Sequence, residues 1–225
     1  MSIDNSKLTC YFREHFNEEN SKKMSAYMKN KFDFIGLKSK KRRDLVKIYK
    51  KTYDYFSLEN LRSDSKKIWS LDEREFQYIY LDFLKKNKKK LTEDSIETIE
   101  YLITNKSWWD TVDLLATHLV GELFKRYPNL IDKYHEKWQN SNNIWLQRSL
   151  ILFQLKYKEE TNEILLFKII NENLDSEEFF INKAIGWALR EYSKTNRDAV
   201  AIFVENTSLS NLSRREASKY LQKKY

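Results

Sequence analysis

The chain has 225 residues, enough for one large domain or two small ones and for a core that needs neither disulfide nor metal. Three glycines and one proline exclude folds built on repeated tight turns, and Gly36, Gly121 and Gly186 lie too far apart for a phosphate-cradling GxGxxG or GxxxxGKS/T loop. Lys and Arg number 41 against 33 Asp and Glu, a net +8; that excess suits nucleic acid, anionic lipid or a solvated lysine-rich surface, and charge by itself leaves these open.

What remains is an all-helical protein with short connections. Its N-terminal stretch, MSIDNSKLTCYFREHF, has no apolar leader core, and no segment approaches 18 apolar residues. The lone Cys10 excludes an internal disulfide and suits a reducing compartment, so a cytoplasmic location is expected. The tract KSKKRR at 38–43 lies at an expected helix start, as a solvated cap or as a phosphate-binding cluster. Leu45, Ile48 and Tyr49 then form an apolar stripe at helical spacing.

Further along, Ser70-x-x-Glu73 and Ser213-x-x-Glu216 read as capping boxes and Ser107-x-x-Asp110 as a weaker one. Thr92 with Glu93 and Asp94 reads as an acidic first turn, and Pro128 as a first helical position. No Pro-, Gly- or Ser-rich linker divides the chain, so residues 1–225 are expected to form a single domain.

A faint repeat runs through SWWDTVDLLATHL, NIWLQRSLILFQL, FFINKAIGWALRE and LSNLSRREASKYL, with LDEREFQYIYLDFL as a possible earlier member. Their spacing falls in the range of helical-repeat solenoids; a plain bundle is the alternative. Three of these segments hold residues with chemical potential. Trp109 and Asp113 share a helix face at i, i+4. Trp145 and Arg148 stand at i, i+3, readable as a buried Trp with an Arg reaching solvent. Lys183, Trp187, Arg190 and Lys194 make one basic face with an indole in its middle, and Gly186 leaves room for a close approach to the backbone. Basic side chains interleaved with aromatics suit a nucleic-acid backbone and its bases. His15, His118 and His135 are scattered, with no metal-ligand spacing, and read as structural or surface residues.

WWDTVD, NIWLQRSLILFQLKYK and KAIGWALREYSKTN resemble the corresponding stretches of the AlkD family of bacterial DNA glycosylases, and AYMKNKFDFIGL, KKRR and LDEREFQ resemble its N-terminal half. The resemblance spans essentially the whole chain. It implies HEAT-like helical repeats stacked in a curved, C-shaped solenoid that holds duplex DNA in its concave face. It also implies excision of cationic N3- and N7-alkylated purines, with the base left stacked in the duplex. Separately, a monomer that needs no cofactor and no membrane is expected. The family's two tryptophans and aspartate fall on Trp109, Asp113 and Trp187. Its backbone-contacting arginine falls on Arg148, and Arg190 matches a further functional position. Lys183 extends the same track, and Tyr27 and Arg43 are the N-terminal candidates for DNA contact.

A purine alkylated at N3 or N7 is cationic and leaves as a neutral base, so no general acid is needed, and one carboxylate near C1′ is enough to stabilise an oxocarbenium-like sugar and orient water. Asp113 fits that role, and indoles suit a cationic base. No lysine stands out as a nucleophile, which points to hydrolysis without strand cleavage. Two alternatives stay open: a non-catalytic relative that binds DNA, and a protein-binding helical scaffold.

Overall fold

Asn17, Asn143, Asn162 and Asn196 each turn a side-chain oxygen onto free N–H groups of the following turn, and each marks where a helix begins. The computed structural model describes residues 3–221. Helices dominate throughout, with no β-strand among the described residues beyond one isolated bridge between Asp33 and Glu73. The chain divides into two compact units, Met1–Thr98 and Ile99–Tyr225.

The first unit contains α1 (Asn5–Arg13), α2 (Glu18–Tyr27), α3 (Ser39–Thr52), α4 (Leu61–Trp69) and α5 (Arg74–Asn87). The basic tract does open a helix: Lys38 is the N-cap of α3. Only part of the expected stripe is core, because Leu45 and Tyr49 are buried while Ile48 is 55% exposed. Phe12 packs against both Tyr49 and Phe76. Glu75, wholly buried, accepts hydrogen bonds from the backbone N–H groups of Ile35, Gly36 and Leu37 at 2.8–3.0 Å. That turn needs φ +91° at Gly36, a left-handed conformation that glycine adopts without a steric penalty. Ser70 does not serve as an N-cap: it is the C-cap of α4 and donates back to the Lys67 carbonyl, while Glu73 is the N-cap of α5 and pairs with Arg13.

The second unit takes in most of α6 (Ser95–Thr104), then α7 (Trp109–Leu114), a π-helical segment (Leu115–Val120) and α8 (Gly121–Arg126). These are followed by α9 (Asn129–Gln139), α10 (Ile144–Leu152), α11 (Glu163–Asn171), α12 (Phe179–Tyr192), α13 (Arg197–Asn206) and α14 (Asn211–Leu221). Helices beginning at Arg74, Trp109, Ile144 and Phe179 recur every 35 residues, and Asn211 follows after 32. This recurrence of helix pairs is consistent with a HEAT-like repeat. Within the second unit α10 packs against α7 and α12, and α12 against α14, so these helices form one continuous row. Val112, Leu119, Leu150, Ile185 and Leu189 are buried along it; each such side chain contributes roughly 1.5–3 kcal/mol.

Three start signals shift position. Trp108, rather than Ser107, is the N-cap of α7, and the Ser107 hydroxyl donates to the Ile103 carbonyl. α6 starts at Ser95, just beyond Glu93 and Asp94, and Ser95 Oγ accepts from the Thr92 N–H. Ser213 lies inside α14, where its N–H donates to Ser210 Oγ and its hydroxyl to the Asn182 carbonyl. Pro128 precedes α9 as its N-cap. No described helix is long and apolar enough to cross a membrane.

Candidate functional site

Asp113, Arg148 and Lys183 are the fifth residues of α7, α10 and α12, so the 35-residue recurrence gives them equivalent places on neighbouring helices. Side-by-side packing brings two of them into contact. Arg148 Nε donates to Asp113 Oδ1 at 2.7 Å and Nη2 to Oδ2 at 2.8 Å, a two-pronged pair that fixes the carboxylate plane. Arg148 Nη1 donates to the Phe180 carbonyl. The Arg148 side chain is 2% exposed and that of Asp113 18%, so the pair is largely buried while part of the Asp113 side chain stays accessible.

Burial pushes the Asp113 carboxyl above its ordinary range; the Arg148 hydrogen bonds and charge oppose this, and Asp110 adds to it. Past Leu114 the helix widens into the π segment, with Thr117 Oγ1 donating to the Asp113 carbonyl at 2.7 Å. Such widened turns often accompany functional sites.

Trp187 is half-exposed, and two guanidinium groups stand near its ring: Arg148 Cζ at 5.8 Å and Arg190 Cζ at 6.0 Å from the centroid. Arg190 and Lys183 converge on Glu216 of α14. Arg190 Nη1 donates to Glu216 Oε2 at 3.0 Å and Lys183 Nζ to Oε1 at 2.6 Å, joined there by Lys219 Nζ at 2.7 Å. The space beside Gly186 is taken from within the protein: a Cβ there would stand 2.4 Å from Glu216 Cβ and 2.9 Å from the Ser213 carbonyl oxygen. α12 and α14 therefore touch backbone to side chain at the position next to Trp187.

The sequence-derived candidates fall as follows. Trp109 is the first residue of α7, one turn before Asp113, and half-exposed. The expected arrangement of Trp145 and Arg148 is reversed: the indole is half-exposed and the guanidinium buried, because Arg148 finds a carboxylate and a carbonyl inside. Each of its three nitrogens already donates to a protein acceptor. Lys194 pairs with Glu191. Tyr27, 69% exposed, and Arg43, exposed on α3, belong to the first unit.

Trp108, Phe180 and Glu216, which the sequence did not offer as site members, complete the second unit's site around Trp145. Trp108, Trp145 and Phe180 form an aromatic cluster with ring centroids 4.9–5.6 Å apart, all half-exposed. Phe180 is the second residue of α12, as Trp145 is of α10, so repeat register was the available signal for it. Glu216 stands 33 residues after Lys183, and a charge of opposite sign at that distance was the corresponding signal for it. Four cations, Arg148, Lys183, Arg190 and Lys219, thus share two carboxylates, Asp113 and Glu216. This edge keeps a positive excess beside half-exposed indoles, an arrangement suited to an anionic polymer with aromatic bases.

Known proteins match along nearly the whole chain. The sequence profile of a family described as DNA alkylation repair enzyme matches residues 9–221. A solved structure described as a predicted DNA alkylation repair enzyme from Enterococcus faecalis is similar at 35% identity with a TM-score of 0.84, covering 93% of this chain and 98% of that one. No curated protein matches significantly.

Proposed function

The chain belongs to the DNA alkylation repair enzyme family, and from that premise we propose that it is a monofunctional DNA glycosylase, hydrolysing the N-glycosidic bond of cationic N3- and N7-alkylated purines in duplex DNA. The observation that carries this reading is the Asp113–Arg148 pair: a carboxylate locked in orientation, still part-exposed, and linked through the same arginine to the half-exposed Trp187.

The chemistry asks little more. The C1′–N bond breaks with its electron pair going to the cationic purine, which departs neutral. The sugar gains positive charge, which the Asp113 carboxylate stabilises. Water adds to C1′ and gives up a proton, for which Asp113 is the acceptor. The products are the free base and an abasic site. Trp109 and Trp187 present π faces to the cationic base, each worth roughly 0.5–2 kcal/mol, which favours the charged lesion over neutral purines. Arg148 serves first as the holder of Asp113. Lys183 and Arg190, each with exposed surface to spare, are the candidates for phosphate contact, with Tyr27 and Arg43 in the first unit. In this reading the base stays stacked in the duplex, and the enzyme acts as a monomer without a cofactor.

The test is direct. Purified protein is incubated with methylated duplex DNA, and free 7-methylguanine and 3-methyladenine are measured by chromatography. Release of either base with strands left intact is the expected result. Salt-sensitive binding with no release would reduce the protein to a binder of damaged DNA.

A further inference from the structure

Glu216 has no step in the chemistry proposed above, yet its side chain is only 3% exposed and carries a charge inside the second unit. Burial alone raises its pKa; the hydrogen bonds and charges of Lys183 and Lys219 outweigh that and hold it at about 2. The carboxylate is therefore ionised at neutral pH. Two of its three partners, Lys183 and Arg190, come from α12 and lie one turn before and one turn after Trp187. The stem of Glu216 fits beneath α12 only because residue 186 is glycine. Lys183, Arg190 and Lys219 keep 26%, 31% and 50% of their side chains exposed, so one hidden anion fixes the heads of three cations that still face outward. It also withdraws one unit of positive charge from that face.

We propose that Glu216 is a positioning residue for the DNA-facing edge of α12: it fixes Lys183 and Arg190 on either side of Trp187 and restrains their attraction for undamaged DNA. The effect on rate rests on the glycosylase reading; the effect on affinity rests on DNA binding alone.

Removing the anion separates the two effects. In E216Q, unmodified duplex is bound more tightly, and the plot of log affinity against log salt steepens by about one unit. Single-turnover excision of 7-methylguanine at saturating protein falls about tenfold or more, because the cations flanking Trp187 are no longer held. The double variant E216Q/K219Q removes one charge of each sign and so leaves no added cation unbalanced. It returns the salt slope to wild type while excision stays slow, and it serves as the deciding variant if E216Q does not fold. A purely structural Glu216 gives a different pattern. Affinity and rate then fall together with the melting temperature, or neither changes in a folded variant, and either result overturns the assignment. If wild-type protein releases no base, the glycosylase reading falls, and the salt slope of E216Q against wild type still decides whether Glu216 restrains the cations.

Discussion

A carboxylate that shares both oxygens with one guanidinium is oriented by it and also kept charged by it. Asp113 needs both, since burial favours its protonated form and Arg148 opposes that. Asp113→Asn exchanges one oxygen for an amide that faces an arginine donor, so the fork is lost together with the charge. Excision is expected to fall by about two orders of magnitude or more, with the affinity for unmodified duplex nearly intact. Unchanged single-turnover rates would remove Asp113 from the chemistry. The same residue sets an acid limit. Its pKa lies above the ordinary 3.8, so the rate declines on acidification before pH 3.8 is reached, and Asp113→Asn shows no such limb. At Trp187 the expected loss is smaller and selective. Trp187→Ala slows release of cationic 7-methylguanine by roughly 2- to 30-fold, the equivalent of one cation–π contact, as read by single-turnover assays at saturating protein.

The seam between α12 and α14 shows how one small residue governs two elements. Gly186→Ala drives a Cβ into Glu216 Cβ at 2.4 Å and toward a backbone carbonyl that cannot swing away. The expected destabilisation is about 1–3 kcal/mol, a drop of roughly 2–4 °C in Tm per kcal/mol for a chain of this size. A Tm equal to wild type would mean the seam opens freely. The ion cluster across this seam also has a pH signature. Because the folded pKa of Glu216, about 2, lies below its ordinary 4.5, its contribution is complete above pH 4.5 and is lost as pH falls toward and through 2. The stability gap between wild type and E216Q, measured by urea unfolding, should be full at pH 7 and shrink below pH 4.5. Helix content and the near-35-residue recurrence were legible from sequence because glycine scarcity and apolar periodicity are local. The capping boxes were misplaced because Ser-x-x-Glu is a permissive pattern: Ser70 bonds backward, and Glu216 is taken by three cations rather than by a cap. Arg148 was recognisable as functional, but its burial was not, since its partner lies 35 residues away and only helix packing decides which neighbour it meets.

At the scale of the whole chain, a net charge of +8 has to be divided between cations neutralised internally and cations open to phosphate. Lys183, Arg190 and Lys219 share Glu216, and Arg148 is spent on Asp113, so part of the excess in the second unit is already committed. In the first unit Arg42 pairs with Asp82, and its neighbour Arg43 stands exposed on α3. Each phosphate contact contributes about 0.9 to the salt slope whatever the DNA sequence or lesion, whereas groups that act on the reacting sugar contribute to rate and not to slope. Arg43→Gln is therefore expected to lower the slope for unmodified duplex by about 0.9 and to leave the single-turnover rate at saturating protein unchanged. Asp113→Asn does the reverse. Fluorescence anisotropy titrations at several salt concentrations, run beside excision assays, place each residue on one axis or the other. A slope for Arg43→Gln equal to wild type would assign Arg43 to solvent and leave the first unit's DNA contact to other cations.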